Sequence, residues 1–317
     1  MPGASIIVPV HNKARYLKTA LDSIFSQSHT DFEVVIIDDG STDKSPQILA
    51  ATIDGRARIF TQANAGVSSA RNRGITLARS DIILFFDADD WMHPDYLQAQ
   101  LRTMSLHHGH SFFATAFKRF PAHEASPAPC QAGIDKPAIV MQDLPAAWLK
   151  GQTFITSCVA VRRSALMAQP TWFPVGESFG EDMDLWLRLA ERHGLVWLPQ
   201  ALIGYREDAV DSLSSMKSTT TLPAYISRLE SRAQAMPRES TLRRSTLNYT
   251  SDARISLARH LLAQGQRLRC GRTLLASLPH GLFRPRWWVT LVMGALFPPA
   301  AVIAWERYRI ARTQKRG

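Results

Sequence analysis

The amino-acid sequence predicts an α/β protein built on a mainly parallel sheet, and two observations carry that prediction. Short β-branched apolar runs alternate with stretches of helical periodicity over the first hundred residues. Three of the runs are followed at once by polar residues, as expected at the carboxyl ends of parallel strands. Strands that alternate with helices imply right-handed crossovers and a Rossmann-like sheet covered by helices on both faces.

The predicted elements follow one another along residues 1–215. We expect strands over residues 5–10, 32–37, 58–62, 81–86, 112–120, 157–162 and 196–205. We expect helices over residues 12–26, about 42–51, 67–78, 146–150 and 182–193. After about residue 215 the pattern is helical and basic, so the sequence predicts one region over 1–215 and a helical C-terminal region over 216–317.

Charge separates these two regions. Residues 1–215 contain 19 basic and 23 acidic residues, whereas residues 216–317 contain 18 basic and 4 acidic ones. A basic region could bind nucleic acid or an anionic membrane surface. The apolar content of the same region favours the membrane, so we expect no nucleic-acid partner.

The apolar segment of that region is residues 287–305, nineteen residues without a charge. Trp287, Trp288 and Trp305 lie at its ends, as in an interfacial aromatic belt, and basic residues flank both sides. Pro298-Pro299 should interrupt a helix there. We expect a segment that lies in the membrane interface or dips into it and returns; a full span and a helix packed on the protein remain alternatives.

Cysteine usage and the N-terminus indicate the compartment. Cys130, Cys158 and Cys270 are far apart and odd in number, which excludes a disulfide framework that uses all three and a clustered metal site. The first residues lead straight into a strand, without the pattern of a signal peptide. We therefore expect a cytoplasmic protein, peripheral or monotopic on the inner face of the cell membrane.

The polar residues after the strands are the candidate ligand site. They are residues 9–12, Asp38-Asp39 and residues 87–90. Neither a dinucleotide-binding glycine pattern nor a Gly-Lys-Ser/Thr phosphate loop is present. Asp87-Ala88-Asp89 is a D-x-D element whose carboxylates could hold Mn²⁺ or Mg²⁺, although acidic turns are also common without a metal.

Taken together, these motifs resemble the family 2 glycosyltransferases. The resemblance is carried by the ordered set Ile6-Ile7-Val8-Pro9-Val10-His11-Asn12, Asp38-Asp39-Gly40-Ser41-Thr42-Asp43, Asn64-Ala65-Gly66 through Arg71-Asn72-Arg73-Gly74, and Asp87-Ala88-Asp89-Asp90-Trp91. Gly180-Glu181-Asp182 and Tyr205-Arg206 resemble later elements of the family. The resemblance implies a GT-A fold over 1–215, a metal-dependent nucleotide-sugar donor and inversion at the anomeric carbon.

The resemblance also implies roles for residues on the donor side. The backbone of Pro9 and Val10 and the carboxylate of Asp39 would hold the base, Asp38 would support that turn, and Asn12 would contribute to the same donor site. Arg71 would meet the diphosphate, unless it is an ordinary solvated helix arginine. Asp87 would lie near the ribose and the metal, and Asp89 would be the direct metal ligand.

On the acceptor side, Asp182 is the candidate general base, with Glu181 beside it in the substrate site. A one-step inversion needs one carboxylate near the acceptor hydroxyl. The alternative for Asp182 is a favourable charge at a helix N-terminus. Relatives often carry a histidine where this chain has Asp208, so Asp208 is a weaker candidate metal ligand. The Gln-x-x-Arg-Trp element of processive synthases is absent, which favours transfer of one sugar at a time.

The sequence therefore predicts a glycosyltransferase that moves one sugar, with a UDP-sugar as the first candidate donor, to a glycan or lipid-linked acceptor at an anionic membrane, in cell-envelope polysaccharide biosynthesis. Two alternatives stay open. One is a membrane-attached nucleotide-sugar binding protein without catalysis, which the retained aspartates disfavour. The other is a nucleotidyltransferase, which would need a glycine- and lysine-rich phosphate segment near the N-terminus that is missing.

Overall fold

The computed structural model describes residues 1–52, 54–124, 136–177, 179–207, 220–298, 300–302 and 304–305. Its first part contains, in chain order, β1 (Ser5–Val10), α1 (Ala14–Phe25), β2 (Glu33–Asp39), α2 (Ser45–Ala50), β3 (Ala57–Gln62), α3 (Val67–Leu77) and β4 (Ile82–Phe85). These four strands pair in the order β3-β2-β1-β4, all parallel. The predicted α/β class and the parallel sheet of this part are confirmed.

The second part of the sheet is mixed. It contains β5 (Trp91–Met92), α4 (Tyr96–Leu106), β6 (Phe112–Pro121), β7 (Ile139–Met141), α5 (Leu144–Trp148), β8 (Val159–Arg162), α6 (Arg163–Met167), α7 (Glu181–His193) and β9 (Leu195–Glu207). The full order is β3-β2-β1-β4-β8-β6-β9-β5, with β7 beside β9. β8 is antiparallel to both β4 and β6, whereas β6 and β9 are parallel. β8 begins two residues later than predicted, because Thr156–Cys158 forms a 3₁₀ turn.

Packing in the core of the sheet region positions its helices and strands. Every residue of β1 and β2 is buried, as expected for central strands covered on both faces. α3 lies very close to β1, since a Cβ added at Gly74 would come 2.3 Å from Cγ2 of Ile7. Phe85, Phe173 and Trp186 form an aromatic cluster, with ring centroids 5.3 to 5.6 Å apart, that joins β4 to α7. These contacts bring α3, β4 and α7 together at the carboxyl ends of the strands.

The chain divides into two compact units, residues 1–216 and 217–317. The second unit contains α8 (Ala224–Ala235), α9 (Thr241–Ala263), α10 (Arg267–Ala276), α11 (Leu278–Gly281) and α12 (Pro285–Leu296). Its own apolar core includes Ile255, Leu262, Leu274, Trp287 and Met293. Along the ranges that the structure describes, no helix is long and apolar enough to cross a membrane.

α12 covers only the first part of the uncharged segment, because it ends at Leu296, just before Pro298. It packs on its own unit through one stripe, Trp287, Thr290 and Met293. Two leucines of this unit are exposed: Leu268 has 84% of its surface accessible and Leu275 has 63%.

Candidate active site

The loops that follow β1 and β2 are tied together by Asn12. Its side-chain Oδ1 accepts hydrogen bonds from the Thr42 N–H at 2.8 Å and the Asp43 N–H at 3.3 Å. Its own N–H donates to Ser41 Oγ at 3.0 Å. Asn12 has a φ of +52°, and among the described residues it is the only non-glycine with a positive φ. Asparagine tolerates this conformation better than most side chains, which suits it to this tight link.

Asp38 and Asp39 are both buried at the end of β2. Asp38 accepts from the Ser41 N–H at 3.0 Å and so supports the turn. Asp39 accepts from the backbone N–H of Ala65 at 3.0 Å and of Gly66 at 2.8 Å, and from Gln62 Nε2 at 2.7 Å. A carboxylate has about four acceptor positions, so these three bonds leave one position of Asp39 unused while the side chain holds the loop before α3.

His11 lies in the same group of residues. Its Nδ1 is 2.9 Å from the Asp39 carbonyl oxygen, and its Nε2 is 3.2 Å from Asn64 Nδ2. A carbonyl can only accept, so Nδ1 carries the proton and Nε2 accepts from the amide. His11 therefore closes the loop after β1 onto the loop before α3.

Arg71 on α3 connects two candidate site residues. Its Nη2 lies 2.8 Å from Asp87 Oδ1, and its Nη1 lies 3.1 Å from Glu181 Oε1. The side chain is only 5% exposed, which excludes the alternative of a solvated helix arginine. Burial opposes the charge, yet Asp87 and Glu181 together raise the pKa of Arg71 above its ordinary value. Burial and the neighbouring Asp182 raise the pKa of Glu181, against the opposite effect of Arg71.

The D-x-D loop carries three carboxylates in different surroundings. Asp87 is engaged by Arg71, and Asp89 Oδ2 lies 2.7 Å from Lys13 Nζ. Asp90 is buried, and accepts from the Arg206 N–H at 3.2 Å and from the Ser157 hydroxyl. Burial and then the nearby charges of Asp89 and Asp87 raise the pKa of Asp90 well above its usual value. Asp90 therefore belongs to the support of the loop.

Arg206 on β9 holds that loop from the other side. Its Nε donates to the Asp89 carbonyl at 2.9 Å, and its guanidinium lies over the rings of Tyr16 at 4.8 Å and Phe120 at 4.4 Å. The Tyr205-Arg206 element that the sequence singled out therefore reaches the D-x-D loop through its arginine.

Asp182 is the second residue of α7, two positions after Gly180, which has a φ of +76°. Its Oδ2 accepts from Thr156 Oγ1 at 2.6 Å, and its Oδ1 accepts from the Met183 N–H at 2.8 Å. The next residue of the 3₁₀ turn is Ser157, whose Oγ donates to Asp90 and accepts from the Asp87 N–H at 3.0 Å. One short turn thus fixes both the candidate base and the D-x-D loop.

The donor set of the loop fits a divalent ion that shares its ligands with a phosphate. Asp87 and Asp89 offer hard carboxylate oxygens, and their side chains are 34% and 17% exposed. The described part of the chain contains no group of three or more acidic, histidine or cysteine side chains placed to hold a metal on their own. Mg²⁺ and similar ions are commonly held by one or two carboxylates, water and substrate phosphates. Asp208 lies outside the described residues.

The structure thus brings together nearly all of the site residues expected from the sequence. Pro9 and Val10 end β1, Asn12, Asp38 and Asp39 form the neighbouring loops, and Arg71 joins Asp87 to Glu181. Sequence reasoning did not assign Lys13, Thr156 and Ser157. Lys13 directly follows Asn12, but nothing in the sequence indicates that its side chain pairs with a residue 76 positions away.

A family model supports the interpretation of the motifs. The model described as glycosyl transferase family 2 matches residues 5–167, just over half of the chain. The α/β fold described above is the GT-A fold. The chain belongs to glycosyl transferase family 2.

Curated relatives agree with that membership. A Bacillus subtilis protein named as glycosyltransferase EpsH is 41% identical over 104 residues, 32% of this chain and 30% of that protein. An uncharacterized glycosyltransferase of Haemophilus influenzae is 43% identical over 111 residues, 34% of this chain and 44% of that protein. These matches cover less than half of the length of either relative.

Solved structures show the same fold. S. aureus TarS 1-349 in complex with UDP-GlcNAc superposes with a TM-score of 0.62 at 16% identity, over 86% of this chain and 88% of TarS. The mannosyltransferase PcManGT from Pyrobaculum calidifontis, in complex with GDP-Man and Mn²⁺, gives a TM-score of 0.53 at 17% identity, over 96% of this chain and 85% of that one. At these identities the likeness concerns the fold.

Proposed function

We propose that this protein transfers one sugar at a time from a nucleotide-sugar donor to an acceptor hydroxyl, with inversion and with the help of a divalent metal. The observation that carries the proposal is the 3₁₀ turn at Thr156-Ser157. This turn joins Asp182 to the loop that carries Asp87 and Asp89. A charge that served only the helix N-terminus would not need that connection. A base and a diphosphate site held by one turn suit a transfer between two substrates.

The donor side of the site supports a nucleotide. The backbone at Pro9 and Val10 and the remaining acceptor position of Asp39 lie at the carboxyl ends of neighbouring parallel strands, where nucleotides bind in such sheets. An acceptor such as Asp39 suits the ring N–H of uracil, so a UDP-sugar is the first donor to test. Structural relatives in complex with UDP-GlcNAc and with GDP-Man support both nucleotides as probes.

The phosphate side requires positive charge near the D-x-D loop. Asp87 and Asp89 would hold Mn²⁺ or Mg²⁺, which would neutralise the charge that develops on the leaving diphosphate. Arg71 is fixed beside the same loop by Asp87 and Glu181. Its buried guanidinium keeps its charge at every relevant pH and can add to the binding of the diphosphate.

On the acceptor side, Asp182 is better placed than Glu181 to take a proton. Glu181 is buried and paired with Arg71, whereas Asp182 is only partly buried. The hydroxyl of Thr156 donates to Asp182 and orients its carboxylate. Asp182 would accept the proton of the acceptor hydroxyl as that oxygen attacks the anomeric carbon opposite the diphosphate.

A donor screen tests this function. The full-length protein is heated with UDP-sugars and GDP-sugars, each with Mn²⁺ and with EDTA, because a ligand that binds only the folded state raises the melting temperature. We expect stabilisation by one nucleotide class that depends on Mn²⁺, and slow hydrolysis of the same donor. Binding without hydrolysis or transfer would favour the non-catalytic binding protein, and no stabilisation by any donor would contradict the proposal.

The acceptor is proposed to be membrane-associated, a lipid-linked or envelope glycan at the inner face of the cell membrane. Support comes from the outer face of α12, which is wide and apolar: Trp288 is 51% exposed, Val292 47% and Leu296 73%. Arginines lie at both ends of this face, since Arg284 precedes α12 and Arg267 donates to the Phe297 carbonyl at 2.9 Å. An apolar face with flanking arginines suits an anionic lipid surface.

Flotation of the full-length protein with vesicles tests that attachment. We expect binding to vesicles that contain phosphatidylserine, weakened but not abolished by high salt, which screens the arginines but not apolar insertion. Replacing Trp288 and Val292 by Ser should reduce flotation severalfold. Leu106→Ser, at a residue 70% exposed on α4, is the matched control and should float like the wild type. A wild-type protein that ignores these vesicles would remove the membrane from the proposal.

A further inference from the structure

Lys13 is held at its backbone so that its side chain meets the D-x-D loop. Its N–H donates to Ser45 Oγ at 3.0 Å, and its carbonyl accepts from the N–H groups of Tyr16 and Leu17, both at 2.9 Å. From this fixed start of α1 the ammonium reaches Asp89 Oδ2 at 2.7 Å. The two side chains are only 16% and 17% exposed, so water screens their attraction weakly.

This ion pair occupies the carboxylate that is expected to bind the metal most directly. A divalent ion bound to Asp89 would lie close to the Lys13 ammonium, since both would contact the same carboxylate. Two neighbouring cations repel each other strongly in a partly buried site. Asp87 is also engaged, by Arg71. The two carboxylates of the D-x-D element are therefore compensated by side chains of the protein itself.

A diphosphate changes this balance, because it brings negative charge for which both cations compete. The ammonium, on a flexible four-carbon stem, can then leave Asp89 for a phosphate oxygen and make room for the metal. We propose that Lys13 is the resident counter-cation of Asp89, which weakens metal binding until a nucleoside diphosphate is bound and which then contributes to diphosphate binding. This inference rests on the proposed function and adds a regulation of the same site, in which metal and nucleotide bind cooperatively.

Two binding measurements on the full-length Lys13→Gln variant test the proposal. Mn²⁺ affinity without nucleotide is measured from the electron paramagnetic resonance signal of free Mn²⁺, and UDP affinity in EDTA is measured by calorimetry. We expect the variant to bind Mn²⁺ alone about tenfold more tightly, and UDP alone severalfold more weakly, than the wild type. By linkage, the factor by which UDP strengthens Mn²⁺ binding should fall accordingly.

Tighter Mn²⁺ binding together with weaker UDP binding separates this role from a structural one, since a damaged site would lose affinity for both ligands. Lys13→Arg keeps the charge and should restore weak binding of Mn²⁺ alone. Lys18→Gln is the matched control, because Lys18 pairs with Asp22 on the same helix at 2.7 Å but is 77% exposed; it should change neither affinity.

Unchanged or weaker Mn²⁺ binding by Lys13→Gln would overturn the proposal. A variant that binds Mn²⁺ more tightly while neither protein binds UDP or GDP would leave the counter-cation role standing and count against the proposed function.

Discussion

Removal of Arg71 is the perturbation whose effect the structure specifies best. In an Arg71→Met variant, Glu181 and Asp87 both lose their ion-pair partner. Removing one partner of a buried ion pair typically costs about 3–5 kcal/mol. The Glu181 side chain is 9% exposed, but Asp87 is 34% exposed and regains some hydration. We therefore expect the lower end, a loss of about 3 kcal/mol in the free energy of unfolding.

The loss should depend on pH in a defined direction. Burial and Asp182 already raise the pKa of Glu181 in the folded protein, and Arg71 works against them. Without Arg71 the folded-state pKa rises further above the unfolded value. A group of this kind costs no stability below its unfolded pKa, and it lowers stability as the pH rises from there through its folded pKa. The deficit of Arg71→Met should thus be larger at pH 8 than at pH 5.

Urea denaturation of the wild type and Arg71→Met at pH 5 and pH 8 measures the loss of stability, provided that the two proteins have equal m values. Adding Glu181→Gln to Arg71→Met should recover part of the loss, because the unpaired carboxylate is removed. Arg73→Met is the control on the same helix. Within the described residues Arg73 donates to neutral acceptors, the Thr61 carbonyl and Gln62, so this change should cost about 1 kcal/mol or less. A deficit for Arg71→Met below about 1 kcal/mol, or one independent of pH, would refute this account of the cluster.

Two further variants address packing and metal binding. Gly74→Ala places a methyl group 2.3 Å from Ile7 and should lower the free energy of unfolding by about 1–3 kcal/mol in urea denaturation, whereas Gly109→Ala, with open space around it, should not. A Gly74→Ala protein as stable as the wild type would mean that α3 and β1 separate easily. Asp89→Asn should fold normally yet lose most Mn²⁺-dependent turnover, since it removes an anionic ligand; full activity at ordinary Mn²⁺ would exclude Asp89 as the metal ligand.

The local patterns of the sequence account for much of the fold. Strand β1 was predictable because it is a short, continuous apolar run that ends in polar residues. Helix α3 was predictable because its apolar residues recur with helical spacing. The position of β8 between β4 and β6, antiparallel to both, was not predictable from such patterns. Strand order depends on contacts between residues far apart in the chain, for which one sequence carries no signal.

For the candidate site, too, local motifs were predictable from the sequence, whereas contacts between distant residues were not. Asp39, Asp87 and Asp182 could be named as candidates because their motifs are local and either follow a strand or lie at the start of a helix. Their partners were not, since the Thr156–Asp182 bond joins residues 26 positions apart and the Lys13–Asp89 pair joins residues 76 apart.

The proposed catalysis by Asp182 can be tested most directly by comparing donor affinity and single-turnover transfer in Asp182→Asn, with the donor that the thermal screen selects. Asparagine has nearly the same shape and can still accept from Thr156, but it cannot take the acceptor's proton. We predict that the rate of transfer falls on the order of 10²-fold or more while donor affinity stays within about twofold. Transfer at the wild-type rate, or a collapse of donor binding with the chemical step intact, would contradict the assignment of Asp182 as the base.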